Sequence, residues 1–184
     1  MERRGSPSPS LDNIEPAFVA FGYSECLGSF LTFGMFKLAR QSGVLPEALF
    51  AIFDHVMEEE ARHIVFFVNW VAYRLASQGQ GAAVFRATRA LWYYGKALRE
   101  LLRAIREADK GGESFVATGA NAVIDEFTPV LVLSACLEEH TRRMRSFDSR
   151  LLQPQFMPTM ADMTLRGLKL LPRRQSRIAK GSYR

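Results

Sequence analysis

The chain has 184 residues, of which 48% are hydrophobic and 23% are charged. This length is typical of one domain with tails, and the composition excludes wholesale disorder and collagen-like repetition. Two cysteines are too few for a disulfide scaffold, and 14 Phe residues are available to fill a core.

The net charge of +5 is concentrated at the C-terminal end of the chain. Residues 163–184 hold seven of the 24 Lys and Arg residues and no acidic residue, which leaves 17 basic against 19 acidic residues in the rest. We therefore expect a near-neutral folded body, a solvated basic tail and no nucleic-acid partner. The alternative for the tail is contact with an anionic membrane surface.

The N-terminal segment MERRGSPSPS carries charge but no apolar run, so it does not resemble a secretory signal. Its Ser-Pro alternation predicts a disordered lead. We expect three segments, which are this lead over 1–11, a helical bundle over 12–148 and a C-terminal extension with the basic tail over 149–184. Without a signal or paired cysteines, the expected location is the cytoplasm.

Capping residues, glycines and prolines mark the expected helices along the chain. The first begins between Asp12 and Pro16, with Pro16 in its first turn, and runs to about Arg40. Thr128 and Pro129 open the fourth long helix as cap and first residue. The other expected helical segments cover residues 46–76, 82–108, 117–126 (a short piece) and 159–171, the last after breaks at Pro154 and Pro158.

No stretch alternates with the period of a β-strand, so the sequence predicts an all-α antiparallel bundle of four helices with a short C-terminal helical extension. Residues 18–36 approach membrane-spanning length. However, they contain several Gly, Ser and Thr residues and the mid-segment carboxylate of Glu25. A buried bundle helix is therefore the better interpretation.

Glu60 lies in the middle of an apolar stripe on the second helix when 100° is allowed per residue. The stripe contains Leu49, Phe53, Val56, Ile64, Phe67 and Val71. His63 follows Glu60 by one turn, so the two can present an oxygen and a nitrogen to one metal ion. The alternative is a solvated, salt-bridged stretch that includes Glu59 and Arg62.

Glu25 occupies a comparable position on the first helix, among Ile14, Phe18, Phe21, Ser29, Thr32 and Phe36. A buried carboxylate needs a partner, a proton or a metal ion. Because consecutive helices should be antiparallel neighbours, Glu25 and Glu60 can meet. The third helix shows its apolar face at Leu91, Tyr94, Leu98, Leu102 and Ile105, with no acidic residue that points clearly inward.

The segment from Glu58 to His63, followed by Phe66 and Phe67, resembles the E-E-x-R-H signature of ferritin-like di-iron carboxylate proteins. The resemblance covers residues 14–148 and implies a four-helix bundle. In that family each helix pair supplies one Glu and one Glu-x-x-His to two metal ions, usually iron. The ligands implied here are Glu25, Glu60, His63 and Glu139, around an apolar pocket lined by Phe36, Phe53 and Phe67.

The second half of the chain departs from this signature. When Glu139 is aligned with Glu60, Arg142 stands where His63 stands, and a guanidinium has no lone pair for a metal. Three outcomes follow. Glu25, Glu60, His63 and Glu139 bind one metal or an unusual pair, Arg142 replaces the metal in a buried ion-pair network, or residues such as His140 or Glu126 complete a di-metal site.

The sequence thus predicts a ferritin-like protein that binds iron, or alternatively manganese, with oxygen-dependent redox chemistry if the site is active. The alternative is a metal-free bundle with a structural or interaction role. Self-association into a homo-oligomer is compatible with both. Cys26 and Cys136 are expected in the core, and His55 is expected at the surface.

Overall fold

The computed structural model describes residues 11–110 and 128–170. Within these ranges the protein is all-helical, with no strand. The five helices are α1 (Leu11–Ser42), α2 (Glu47–Ser77), α3 (Ala83–Lys110), α4 (Pro129–Met144) and α5 (Phe156–Leu170). The all-α prediction is confirmed.

Helix α1 lies at the centre and packs against α2, α3 and α4, while α5 packs mainly on α4. α1 and α2 are antiparallel, because Glu15 pairs with Arg74 near one end and Phe36 contacts Phe50 near the other. Short connections at 43–46 and 78–82 reverse the chain after α1 and after α2. The first of them contains Gly43, whose φ of 67° belongs to the left-handed region that favours glycine.

The core is built mainly from α1 and α2. Apolar side chains spaced by three, four or seven residues put one face of α2 against α1. On α2 the buried residues are Phe50, Met57, Ala61, Ile64, Val65, Phe67, Val71 and Leu75. A smaller cluster of Phe30, Cys136 and Ala161 joins α1, α4 and α5. Cys26 and Cys136 are both buried and unbonded to each other, as the sequence predicts.

The predicted role of Pro129 at a helix end is confirmed, but the predicted roles of Pro16 and Pro158 are wrong. Thr128 caps α4, where its hydroxyl accepts a hydrogen bond from the Leu131 N–H at 3.2 Å, and Pro129 opens the helix. Pro16 lies inside α1, because the helix begins earlier than predicted, at Leu11. Pro158 does not break the chain; it lies in the first turn of α5, where no backbone N–H is needed. The predicted piece at 117–126 falls outside the described residues.

The C-terminal extension packs on the bundle through α5, whose Ala161 and Leu165 are buried. Met163 and Leu170 of the same helix are exposed, so contact of the extension with a membrane surface stays a prediction. Residues 171–184, with most of the basic tail, lie outside the described ranges. None of the helices in the described residues has the combination of length and apolar content needed to cross a membrane.

The orientation of α3 corrects the sequence prediction. Tyr94 is buried as expected, but Leu91, Leu98 and Leu102 are exposed. The buried face of α3 is rotated towards Ala90, Tyr94 and Ala97, because Tyr94 and its neighbour Tyr93 pack against Tyr23 of α1. Aromatic contact thus decides which side of α3 meets α1, and the leucine stripe is left facing outward.

The closest approach of α1 and α4 depends on Gly34. A Cβ at Gly34 would lie 2.3 Å from the sulfur and 2.7 Å from the backbone nitrogen of Cys136. Neither backbone can move without shifting a helix. The two helices therefore meet at a distance that only glycine permits.

We expect Gly34→Ala to destabilise the protein by about 2 kcal/mol or more, since overpacking a tight contact typically costs this much. Gly28, in the same helix, has open space around its Cβ position. Gly28→Ala should therefore stabilise the protein by about 0.5–1 kcal/mol through helix propensity. Chemical denaturation of both variants measures the difference. Equal effects of the two substitutions would show that α1 and α4 do not meet as described.

Candidate functional site

The structure places the four predicted ligands in two separate groups. Glu25, Glu60 and His63 lie together on the outward side of the α1–α2 pair, and we call them the acidic group. Glu139 lies with Asp54, Arg142 and Arg143 between α2 and α4, and we call these four residues the arginine cluster. The two groups have different electrostatics.

In the acidic group, burial and the charge of Glu60 raise the pKa of Glu25, while His63 acts in the opposite direction. His63 Nδ1 lies 4.0 Å from Glu60 Oε2, and the His63 side chain is 69% exposed. The carboxylates of Glu25 and Glu60 are therefore close enough to repel each other across the α1–α2 contact. The prediction that the two acids meet agrees with this arrangement.

The acidic group does not lie inside the core, however. Glu60 is at the border of the buried face of α2, with Phe53 and Val56 exposed beside it. Glu25 has the exposed Phe21 on its own helix. The helical-wheel stripe through Glu60 was therefore only partly a core stripe, because the buried face of α2 is centred on Met57, Ala61 and Ile64 instead.

The predicted apolar pocket of three phenylalanines does not form. Phe67 is buried and lines a cavity of about 440 Å³ between α2, α3 and the segment before α5. Phe36 packs on Phe50, and Phe53 is exposed. The three rings therefore face different surroundings.

Arg143 is the centre of the arginine cluster, with a side chain only 3% exposed. Its Nη2 lies 2.5 Å from Asp54 Oδ1 and 2.9 Å from Glu139 Oε1. Its guanidinium carbon also lies 5.2 Å from the centre of the Phe33 ring, within range of a cation–π contact. Arg143 thus links α4 to α1 and to α2.

Arg142 completes the cluster from the solvent side. Its Nε donates to Glu139 Oε2 at 2.9 Å and its Nη2 to Oε1 at 2.6 Å, with the side chain 56% exposed. Both oxygens of Glu139 therefore accept hydrogen bonds from arginine. In one of the three outcomes expected from the sequence, Arg142 neutralises the inward carboxylates. Arg142 does pair with Glu139, but the buried cation is Arg143.

The electrostatics of the two carboxylates follow from these contacts. Burial alone would raise the pKa of Glu139, but the hydrogen bond from Arg142 and the charges of Arg143 and Arg142 outweigh it and lower the pKa. The pKa of Asp54 is lowered for the same reason, against its burial. Two carboxylates and two guanidinium groups thus form a network without net charge.

Asp54 and Arg143 were missed in the sequence. The Glu139–Arg143 spacing of four residues was the available signal, because i, i+4 pairs of opposite charge meet on a helix. Nothing in the sequence of α2 distinguishes Asp54 from a solvated acid. Only the docking of α4 beside α2 brings the two residues together.

The arginine cluster and the acidic group differ in how well they could bind a metal ion. In the arginine cluster, a metal at Glu139 would have to displace hydrogen bonds from two guanidinium groups. Nowhere in residues 11–110 and 128–170 do three or more Asp, Glu, His or Cys side chains form a metal-binding group. Metal binding by Glu25, Glu60 and His63 stays a prediction, and Glu126 lies outside the described residues.

His140 does not complete a metal site in the described structure. It is buried, its ring contacts Phe30 at 5.6 Å between centroids, and neither ring nitrogen has a hydrogen-bond partner among the described residues. Burial lowers its pKa to about 4. The imidazole is therefore neutral in the folded protein at pH 7. His55, in contrast, is exposed, as the sequence predicts.

Comparison with family models, with curated proteins and with solved structures finds no match for this chain.

We expect His140 to make the protein less stable in acid. The pKa is about 4 in the folded state against 6.5 when unfolded, so stability is complete above pH 6.5 and is lost as the pH falls towards 4. The loss across this window is about 3 kcal/mol, at about 1.4 kcal/mol per pH unit. Urea denaturation at several pH values measures it.

His140→Phe should flatten the pH dependence of stability between pH 6.5 and 4, whereas His55→Phe should leave it unchanged. His55 is a suitable control because its side chain is 86% exposed. An unchanged slope in His140→Phe would contradict burial of a neutral imidazole at this position.

Proposed function

We propose that this chain is a ferritin-like helical bundle that functions without a metal, as an interaction module. The observation that carries the proposal is the pairing of buried Arg143 with Asp54 and Glu139. The guanidinium supplies the positive charge that a buried carboxylate requires. The antiparallel hairpin of α1 and α2 and the Glu-x-x-His spacing of Glu60 and His63 support the ferritin-like assignment.

The arrangement of Arg143 explains why a metal and the arginine exclude each other at Glu139. A cation bound at the Glu139 oxygens would lie beside a guanidinium that is itself buried between Phe33 and Asp54. Arginine stays protonated, so it could not relieve the repulsion by losing a proton. Moving Arg143 away would leave Asp54 without its main partner.

An interaction role is supported by the outward surfaces. Large apolar side chains are exposed on α1, α2 and α3 in the described residues, among them Phe21, Ile52, Phe66 and Trp92. A contiguous apolar surface is typical of a binding site, and the exposed Leu91, Leu98 and Leu102 of α3 follow one another at helical spacing. Self-association through one of these surfaces stays a prediction.

Removal of Arg143 should be far more damaging than removal of Arg142. Arg143→Met leaves Glu139 and Asp54 without their buried partner, and breaking a buried pair in this way costs about 3–5 kcal/mol. Arg142→Met removes a cation that is 56% exposed, so the cost should stay below about 1 kcal/mol. Thermal and urea denaturation measure both.

The same variants test the role of metal. If Arg143 neutralises the site, added Fe(II) or Mn(II) should leave the melting temperature of the unmodified protein unchanged. A melting temperature that rises with metal, together with a mild Arg143→Met phenotype, would overturn the proposal.

A second candidate function is divalent metal binding by the acidic group, which the mutual repulsion of Glu25 and Glu60 favours. Glu25, Glu60 and His63 would hold the ion, and iron bound there would supply redox chemistry towards dioxygen. The protein side chains would contribute two carboxylate oxygens and an imidazole nitrogen at the surface of the α1–α2 pair. Glu139 would take no part, because its oxygens are engaged by arginine.

Elemental analysis after expression with added iron or manganese tests this candidate. If the acidic group binds metal, the protein should retain about one equivalent, and His63→Ala should lose it. His55→Ala is the matched control, since His55 lies beside Glu58 on the same helix with the same three-residue spacing. Metal retained in His63→Ala, or none in the unmodified protein, would contradict the second candidate.

A further inference from the structure

Helix α3 carries a surface that neither the core nor the carboxylate groups use. Its buried side faces α1 through Ala90, Tyr94 and Ala97. Large apolar side chains are exposed along the rest of the helix. They are Val84, Phe85, Leu91, Trp92, Leu98 and Leu102, of which Leu91 is 62% and Trp92 63% exposed.

The charge on α3 is also unlike that of its surroundings. Residues 83–110 contain seven basic and three acidic residues, a net charge of +4. Residues 1–162 together carry 17 basic and 19 acidic residues, so the part outside α3 has 10 basic against 16 acidic, a net charge of −6. The near-neutral body predicted from the sequence therefore separates into a basic helix and an acidic remainder.

The basic and apolar side chains share one outward face. At about 100° per residue, Val84, Leu91, Leu98 and Leu102 fall within about 40° of one another. Next to this stripe are the exposed Lys96, Arg99, Arg103 and Arg106, with Trp92 among them. None of these four cations has an ion-pair partner among the described residues. By the same spacing Glu100 and Glu107 fall on the far side of the basic stripe, although Glu107 lines one surface hollow with Leu98 and Leu102. Asp109, near the end of α3, falls in line with Leu91.

We infer that the outward face of α3 binds an anionic phospholipid surface. Over residues 84–106 the leucine stripe, with its aromatic residues and the bordering arginines, contains no carboxylate and fits the boundary between headgroups and acyl chains. The arginines can pair with phosphates while the leucines and Trp92 enter the apolar layer. Helix α3 would lie in the plane of the membrane, and no helix would cross it.

This inference deepens the proposed interaction role by naming a partner, and it does not depend on whether the acidic group binds metal. A failure of lipid binding would leave the stability difference between Arg143→Met and Arg142→Met intact. A failure of that stability difference would leave lipid binding intact. The two proposals can therefore fail separately.

Co-sedimentation of the full chain with vesicles tests the inference. We expect binding to vesicles that contain phosphatidylserine, much weaker binding to phosphatidylcholine alone, and a decrease with added salt. Each arginine removed should weaken the partition coefficient about five-fold. The double variants Arg99→Gln/Arg103→Gln and Leu98→Ser/Leu102→Ser should therefore both lose most of the binding.

Matched substitutions outside α3 show whether lipid binding is specific to the outward face of α3. Tyr73→Ser removes an exposed apolar side chain from α2, and Arg145→Gln removes an exposed cation after α4; both variants should bind vesicles like the unmodified protein. Circular dichroism and melting curves confirm that each variant is folded. Full binding by both α3 double variants would overturn the inference and assign the attraction to the basic tail.

Tryptophan fluorescence gives a second readout, because the chain has only Trp70 and Trp92. In the Trp70→Phe variant, Trp92 emission should shift to the blue on anionic vesicles and be quenched by brominated lipids. An unshifted spectrum on bound protein would contradict insertion of α3. Binding to nucleic acid, or dimerisation lost in Leu98→Ser, without vesicle binding would likewise overturn the inference.

Discussion

The buried guanidinium of Arg143 joins three helices of the structure. It projects from α4, packs against the Phe33 ring of α1 and pairs with Asp54 of α2 and Glu139 of its own helix. A buried cation is stable only when its hydrogen-bonding groups and charge are matched nearby. The docking of α1, α2 and α4 is therefore coupled to one ion-pair network.

Most of the helical layout could be predicted from the sequence, because caps, glycines and prolines act locally. The Thr128 cap and the α1–α2 hairpin are examples. The orientation of α3 could not be predicted from the sequence. Whether its leucine face or its tyrosine face is buried depends on the contacts of Tyr23 with Tyr93 and Tyr94. Which arginine is the buried cation could not be predicted for a similar reason, because Arg142 and Arg143 are distinguished only by how α4 packs against α2.

The candidate site could likewise be predicted only in part from the sequence. The meeting of Glu25 with Glu60 follows from the hairpin, which periodicity predicts. Their position at the border of the core does not, because a helical wheel cannot show which part of an apolar stripe another helix covers. The separation of Glu139 from the acidic group likewise emerges only when the helices are assembled, whereas the excess of basic residues on α3 can be counted in the sequence. What the sequence does not show is that the leucines of α3 face outward beside these basic residues.

A double-mutant cycle between Arg143 and Glu139 measures how strongly the two residues stabilise each other. Arg143→Met, Glu139→Gln and the combined variant would be compared by urea denaturation at pH 7 in the presence of a chelator. If the two residues neutralise each other, the combined variant should be more stable than the sum of the single losses predicts, by about 2 kcal/mol. Additive losses, with no coupling between the two positions, would contradict the account.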